Sequence, residues 1–228
     1  MASDSPSAVT TILFDIDGTL VDSNYLHVDA WDRALVAAGH PVDVWRIHRG
    51  IGMDSEKMLT SLVGDDASLH EAATREHARL YGETADRLRP ISGARELLEE
   101  LVRRGLTVVL ATSAPQPELD ALLAVLQPGD AVDAVTSAED VDDAKPDPDI
   151  IATALAKASS TADEAVMVGD AVWDMEAARR AGVTPIGVLS GGTSADLLRA
   201  AGAVAVYDDV AELLTALDGS PLNRAAGD

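Results

Sequence analysis

Short apolar runs alternate with helical patterns along most of the chain. The first run, Val9–Phe14, is rich in β-branched residues and ends abruptly at Asp15, as a buried parallel strand does. Similar runs recur at Thr107–Ala111, Ala131–Thr136, Ala165–Val168, Thr184–Leu189 and Ala203–Val206. Because helical segments separate most of these runs, the pattern predicts βαβ units with right-handed crossovers and a doubly wound parallel sheet covered on both faces.

Turn and cap residues mark the ends of the predicted helices. Ser92 stands where it can cap a helix whose apolar stripe begins at Leu97, and Gly105 follows the end of that helix. Thr193 and Asp196 have the spacing of a capping box, which predicts another helix start late in the chain.

One segment, residues 23–89, breaks the alternation, because it has helical periodicity and no convincing strand. The helices predicted in it are Tyr25–Ala38, Asp54–Val63 and Leu69–Arg87. An insertion of roughly 65 residues is large enough to form a small subdomain over the sheet. We therefore expect an α/β core domain of residues 1–22 and 90–228 with an inserted all-helical cap domain of residues 23–89. The polar tail Ser220–Asp228 is expected to be mobile.

Composition and charge narrow the classes of function. The 228 residues are 47% hydrophobic and 25% charged, which is typical of a globular protein. Acidic residues outnumber basic ones 39 to 17, and the net charge of −22 argues against nucleic acid and anionic membranes as partners. A small phosphorylated ligand stays possible if a metal ion supplies local positive charge. The absence of cysteine excludes disulfides, Cys-zinc sites and thiol catalysis.

The distribution of apolar residues also bears on location. Residues 1–8 lack the basic and apolar regions of a signal peptide, and no run approaches 18 apolar residues. The expectation is a soluble cytoplasmic protein.

The strongest chemical pattern is residues 15–23, with the sequence Asp-Ile-Asp-Gly-Thr-Leu-Val-Asp-Ser. Asp15 and Asp17 end a predicted strand two residues apart, so their side chains point to the same side, at the sheet edge where α/β proteins bind ligands. Two crowded carboxylates repel each other, which predicts a bound cation or a raised pKa. Gly18 permits a tight turn, and Thr19 offers a hydroxyl and a backbone N–H to an anion.

Three further patterns follow later strands or precede a helix. Thr112 and Ser113 follow a strand directly, and a hydroxyl there can hold a phosphate oxygen. Lys145, one of only three lysines, precedes a helix and can neutralise a phosphoryl group. Asp170 and Asp174 are spaced to share one face at the start of a helix, and hard cations prefer such oxygen ligands.

These four motifs resemble, in order and spacing, those of the haloacid dehalogenase superfamily, and the resemblance covers nearly the whole chain. The helical insertion resembles the cap of the phosphoglycolate phosphatase and β-phosphoglucomutase group. The resemblance implies a Rossmann-like core and Mg²⁺-dependent hydrolysis of a small phosphorylated metabolite.

The resemblance also assigns roles to residues. It implies that Asp15 is the nucleophile that forms an aspartyl phosphate, that Asp17 is the general acid and base, and that Lys145 is catalytic. Mg²⁺ would be bound by Asp15, Asp170 and the backbone carbonyl of Asp17. Asp174 would orient Lys145 or a metal-bound water.

The phosphate would be bound by Thr112 with Lys145, next to Ser113 and Gly18. Alanine and proline follow Ser113, where some sugar-phosphate relatives have polar or basic residues, so fewer phosphate contacts are expected here.

The cap is expected to close over small substrates and to supply specificity. His27 resembles a histidine of the β-phosphoglucomutase subgroup that lies near the acid/base aspartate, and Arg49 is a candidate substrate contact in a glycine-containing loop. The mutases have arginine where this chain has Met53, and a mutase needs a cation for the distal phosphate. Simple hydrolysis is therefore favoured. Other candidates facing the site are Asn24, Trp31 and Lys57.

Two alternatives remain open from the sequence. One is a phosphosugar mutase, and the other is a catalytically idle phosphate-binding module, which would bind metal and phosphate without turnover. Phosphoglycolate, a hexose phosphate and a nucleotide monophosphate all remain candidate substrates. The protein is expected to be a monomer or a homodimer.

Overall fold

The computed structural model of the protein describes residues 8–141 and 145–223. The strands are β1 (Thr11–Phe14), β2 (Val21–Asp22), β3 (Arg89–Pro90), β4 (Thr107–Ala111), β5 (Ala134–Thr136), β6 (Ala165–Gly169), β7 (Thr184–Val188) and β8 (Ala205–Tyr207). The α-helices are α1 (Asn24–Ala37), α2 (Val44–Gly50), α3 (Ser55–Val63), α4 (Ala67–Gly82), α5 (Ala94–Arg103), α6 (Gln116–Leu126), α7 (Asp149–Ala158), α8 (Val172–Arg180), α9 (Ala195–Ala201) and α10 (Val210–Thr215).

Six strands form one parallel sheet in the order β5-β4-β1-β6-β7-β8. The central strand is β1, in which Phe14 lies opposite Leu110 of β4 on one side and Val168 of β6 on the other. The chain therefore leaves β1, β4 and β6 at the same edge of the sheet. This confirms the predicted doubly wound parallel core.

Both faces of the central strands are buried, which explains their nearly uninterrupted apolar sequences. In β1, Ile12 and Phe14 pack into a cluster with α5, α6 and α10, whereas Leu13 packs on the opposite face with α7 and α8. All three side chains are completely buried. Successive side chains of β4 and β6 also alternate between these two clusters.

Four helices, α1 to α4, are inserted between β2 and β3 and form the predicted helical cap. The two short strands pair antiparallel, with Val21 opposite Pro90, and carry the chain out of the core and back. The cap has an apolar cluster of its own around Trp31, Ile47 and Leu59. The domain limits of residues 1–22, 23–89 and 90–228 stay a prediction.

The structure corrects two predicted helix caps. Gly93, not Ser92, is the residue before α5, and its φ of +81° is in the left-handed region that glycine favours. Before α9, the Ser194 hydroxyl accepts a hydrogen bond from Leu197 N, so the cap lies one residue after Thr193. In both segments a neighbouring small or polar residue competed for the same role.

Other differences concern element boundaries. The predicted third cap helix ends at Gly82, and residues 85–87 form a separate 3₁₀ turn. Helix α2 was not predicted. The start of the polar tail is packed, because Leu222 is buried against the core, whereas residues 224–228 lie outside the described part of the chain. Among the described residues, no helix combines the length and the apolar character needed to cross a membrane.

Candidate active site

The sheet edge at the ends of β1, β4 and β6 brings the predicted motifs together. Asp15 follows β1 directly, and its backbone N–H donates to Val168 O of β6 at 3.0 Å. Thr112 follows β4, and Asp170 follows Gly169, the last residue of β6. All three side chains are buried. The parallel register therefore places residues far apart in the sequence around one point, as predicted.

Lys145 extends into this point and is fully buried. Its Nζ donates to Asp15 Oδ1 at 2.5 Å and lies 2.8 Å from Asp174 Oδ1. Burial lowers the pKa of Lys145, but the charges of Asp15 and Asp174 outweigh burial and hold its pKa above the usual range. The lysine is therefore a fixed cation between two carboxylates.

Three buried carboxylates form a group that could hold a metal ion. Asp15, Asp170 and Asp174 each offer one oxygen, and these oxygens all lie within 4.8 Å of one another. The predicted ligand set shares Asp15 and Asp170 with this group. The third predicted ligand, the backbone carbonyl of Asp17, stays a prediction, and the structure adds Asp174 to the candidate donors.

The electrostatics of this group fit a divalent cation. Burial raises the pKa of Asp15 to about 7, and although Lys145 opposes this shift, the charges of Asp174 and Asp17 add to it. Burial, followed by the charges of Asp174 and Asp15, raises the pKa of Asp170 well above its usual range. One lysine thus leaves the carboxylates short of positive charge, and oxygen donors are the ligands that hard cations prefer.

Two side chains orient Asp170. Its Oδ1 accepts from Thr19 Oγ1 at 3.1 Å, and its Oδ2 accepts from Asn24 Nδ2 at 2.7 Å. Asn24 is the first residue of the cap helix α1, so the cap contacts the carboxylate group directly. The turn at Gly18, with φ of +75°, makes room for this contact, since a Cβ there would lie 2.3 Å from Asn24 Nδ2.

Asp17 belongs to a separate hydrogen-bonded chain. Its Oδ1 accepts from Ser23 Oγ at 2.6 Å and lies 3.2 Å from His27 Nε2. Burial alone would raise the pKa of Asp17, but the hydrogen bond and charge of His27, with the bond from Ser23, hold it below the usual range. Burial would lower the pKa of His27, but Asp17 outweighs it and the pKa is raised. The two residues therefore form an ion pair.

The series of polar contacts continues from His27, on cap helix α1, to cap helix α4 and then to core helix α6. His27 Nδ1 lies 3.1 Å from His77 Nε2 of α4, and His77 Nδ1 lies 3.8 Å from Glu118 Oε1 of α6. Burial, with the charge of His27, lowers the pKa of His77 to about 2. A neutral His77 that accepts at Nε2 carries its proton on Nδ1, facing Glu118. Sequence reasoning missed both His77 and Glu118.

A cavity of about 150 Å³ lies between the cap and the core at this point. The core side contributes Asp15, Asp17, Thr112, Ser113, Ala114, Pro115 and Glu118, and the cap side contributes His27, Trp31, Gly50, Ile51, Gly52, Met53, Ser55, Met58, Thr74, His77 and Ala78. None of these described lining residues is arginine or lysine. Among the described lining residues, the positive charge therefore comes from His27, which is already paired with Asp17.

Of three further predicted residues, Ser113 lines the cavity, whereas Arg49 and Lys57 do not. Ser113 lines the cavity, and its buried Oγ has no hydrogen-bond partner among the described residues. Arg49 is exposed, with its guanidinium carbon 4.8 Å from the ring centroid of Trp45, and it is not among the residues lining the cavity. Lys57 is half-buried and pairs with Asp147. The structure thus brings Ser113 to the cavity but not these two cations.

Comparisons with known proteins agree with this geometry. Residues 12–188 match the model of a family described as haloacid dehalogenase-like hydrolase. The chain is 32% identical over 213 residues to a phosphoglycolate phosphatase of Rhodospirillum rubrum, which covers 89% of this chain and 88% of the relative. It is 29% identical to a phosphorylated carbohydrates phosphatase of Thermotoga maritima, over 86% of this chain and 92% of the relative.

A solved structure shows the same fold. The crystal structure of a hydrolase from Pseudomonas syringae matches with a TM-score of 0.88 and 39% sequence identity, over 92% of this chain and 98% of that one. The family match spans all four motifs and both sides of the cap insertion. By sequence and by fold, the chain belongs to the haloacid dehalogenase-like hydrolase family.

Proposed function

We propose that this protein hydrolyses a small phosphomonoester of the phosphoglycolate or sugar-phosphate type, with Mg²⁺, through a phosphoaspartate at Asp15. The observation that carries the proposal is the meeting of Asp15, Lys145, Asp170 and Asp174 at one sheet edge, beside the Asp17–His27 pair and under the cap. The broader class does not depend on these details. By its family and its phosphatase relatives, the chain is a phosphoric monoester hydrolase.

In the first half-reaction, an Asp15 carboxylate oxygen attacks phosphorus while the bond from phosphorus to the alcohol oxygen breaks. The leaving oxygen takes the proton held between Asp17 and His27, whose facing atoms lie 3.2 Å apart. Lys145, whose Nζ lies 2.5 Å from Asp15 Oδ1, favours the ionised form of Asp15 and opposes the effect of its burial.

In the second half-reaction, Asp17 removes a proton from water, and the resulting hydroxide attacks the phosphoaspartate. Phosphate leaves and Asp15 is regenerated as a carboxylate. The lowered pKa of Asp17 suits this step, because the group starts as an unprotonated base.

Mg²⁺ held by Asp15, Asp170 and the Asp17 carbonyl would neutralise the repulsion between the nucleophile and the phosphate dianion. Thr112 and Ser113 are the proposed hydroxyl contacts of the phosphate, with the backbone turn at Gly18. The buried, unpartnered Ser113 Oγ supports this assignment. His27 acts through Asp17, whereas Arg49 would need to move to reach substrate.

Two alternatives are less well supported. A mutase must hold a second phosphate away from Asp15, and Met53 with the other described lining residues supplies no arginine or lysine for it. An idle binding module would keep metal and phosphate binding without turnover, yet every catalytic position is filled. We also propose a cytoplasmic protein with no nucleic-acid or membrane partner, in keeping with its net charge of −22.

Phosphate release in the presence of Mg²⁺, measured across a panel of small phosphomonoesters, tests the proposal. Asp15→Asn should abolish release, because an amide cannot be phosphorylated and expelled in this way. Asp22→Asn, an exposed acid of the same motif, is the matched control and should keep activity. No release from a folded protein that binds Mg²⁺ would contradict the proposal and favour the idle module.

A further inference from the structure

Glu118 is an acidic residue on the cavity wall that the proposed mechanism does not use. It lies in the first turn of α6, and only 13% of its side chain is exposed. Its nearest charged or titratable partner in the cap is His77, whose Nδ1 lies 3.8 Å from Glu118 Oε1. Burial raises the pKa of Glu118, with His27 opposing and Asp17 adding. The surroundings therefore compensate its charge poorly.

The cations near the cavity do not balance Glu118. Lys145 is held between Asp15 and Asp174, and His27 is paired with Asp17. His77 stays neutral, because its pKa is about 2. None of the described lining residues is arginine or lysine. A second anion placed beside Glu118 would therefore be buried next to a like charge, without a partner.

The part of the cavity away from the carboxylate group is largely apolar on the cap side. Trp31, Ile51, Met53 and Met58 line the cavity from the cap, where the Trp31 ring stacks on His77 at 4.0 Å, and Glu118 lines it from the core. The apolar side chains suit the C–H surface of a leaving group, and the Glu118 carboxylate can accept hydrogen bonds from its hydroxyl groups.

We propose that the cavity selects phosphate esters of uncharged polyols or sugars, and that Glu118 is the specificity residue that excludes leaving groups carrying a carboxylate or a second phosphate. The inference rests on the proposed phosphomonoesterase function and narrows its substrate class. It separates this chain from its phosphoglycolate phosphatase relatives, because glycolate is an anionic leaving group.

Two substrates that differ in one group test the inference. Phosphoglycolate and 2-hydroxyethyl phosphate differ by one heavy atom, because the first ends in a carboxylate and the second in a hydroxymethyl group. We expect kcat/KM for 2-hydroxyethyl phosphate to exceed that for phosphoglycolate by about tenfold to a hundredfold, since a like-charge contact costs several multiples of RT. Equal rates, or a preference for phosphoglycolate, would overturn the inference.

Glu118→Gln keeps the size of the side chain and removes its charge. The ratio of the two kcat/KM values should shrink by about tenfold in this variant, through faster turnover of phosphoglycolate. Asp120→Asn is the matched control, because Asp120 is exposed on the same helix and bonds only to Gln116 among the described hydrogen bonds. A ratio that stays the same in Glu118→Gln would assign the selection to something other than Glu118.

An activated aryl phosphate separates failure of this inference from failure of the proposed function. Its turnover with Mg²⁺, lost in Asp15→Asn, tests hydrolysis with an uncharged leaving group of low basicity. If the aryl phosphate is hydrolysed while the two matched esters do not differ, the phosphomonoesterase function stands and the inference on Glu118 fails. If the aryl phosphate is not hydrolysed either, both fail.

Discussion

Asp15 combines two requirements that oppose each other. A nucleophilic carboxylate must be ionised, yet only 7% of this side chain is exposed, and it lies near Asp17 and Asp174. The ion pair with Lys145 reduces the cost of the charge but does not remove it, because burial raises the pKa of Asp15 to about 7. Without a bound metal ion, the ionised form of Asp15 is therefore electrostatically unfavourable, even beside Lys145.

This electrostatic cost predicts a pH-dependent loss of stability in chelator. The pKa of Asp15 rises from 3.8 to about 7 on folding, so the folded state binds this proton more tightly. The stabilisation is complete below about pH 4 and is lost as the pH rises towards about 7. In EDTA, Tm should fall between about pH 5 and about pH 8, and it should fall less for Asp15→Asn than for the natural protein.

Asp22→Asn is the control for this comparison, since it removes an exposed carboxylate in the short strand β2. It should reproduce the pH dependence of the natural protein. A decrease in stability that is the same in all three proteins would show that Asp15 is already ionised at low pH.

Among individual site residues, the sequence predicted those that follow strand ends. It missed those that come together only when the cap packs on the core. Asp15, Thr112 and Asp170 meet because parallel strands end at one edge, which can be read from the apolar runs. His77 lies on the buried face of α4, and only the docking of α4 on α6 brings it to Glu118. No local pattern specifies that contact.

Among the elements, α5 depends on a close approach that the sequence does not reveal. Gly93 precedes this helix with φ of +81°, and a Cβ there would lie 2.8 Å from the Cα of Ala211 in α10. Gly105 follows the same helix with φ of +80°, and a Cβ there would meet nothing within 4 Å. The two glycines share a backbone conformation and differ in their neighbours.

Alanine at each of these positions separates backbone strain from packing. Gly105→Ala should lower the free energy of unfolding by about 1–2 kcal/mol, the cost of the left-handed conformation. Gly93→Ala should cost about 1–3 kcal/mol more, because α10 must shift away from α5. Urea unfolding measures the free energy of unfolding of both variants. Equal decreases would mean that α10 can move away from α5 without a cost in stability.

The elements that sequence reasoning missed are those with weak local signals. Helix α2 has seven residues, of which only Ile47 and Gly50 are buried, while Val44 and Trp45 are exposed. Such a short element shows no sustained apolar face, and packing of Ile47 into the cap cluster determines it. The two-residue strands β2 and β3 are also too short to give an alternating pattern.

In the whole molecule, cations can be attracted by the net charge of −22 or bound by the buried cluster of Asp15, Asp170 and Asp174. Diffuse negative charge attracts any cation, and added salt screens the repulsion without a specific site. A site at Asp15 and Asp170 would bind a divalent ion beyond this general effect. Charge could be counted from the sequence, whereas the distances among the buried carboxylates could not.

Thermal unfolding near pH 8 in MgCl₂ and in NaCl of equal ionic strength distinguishes the two effects. Binding at a hundred times its Kd stabilises a protein by about 2.7 kcal/mol, which corresponds to a rise of about 5–10 °C in Tm for a chain of this size. Mg²⁺ should raise Tm by that much more than Na⁺. Asp170→Asn should remove most of the excess, while Asp196→Asn, at a fully exposed side chain, should keep it. An excess that survives undiminished in Asp170→Asn would contradict a Mg²⁺ site that uses Asp170.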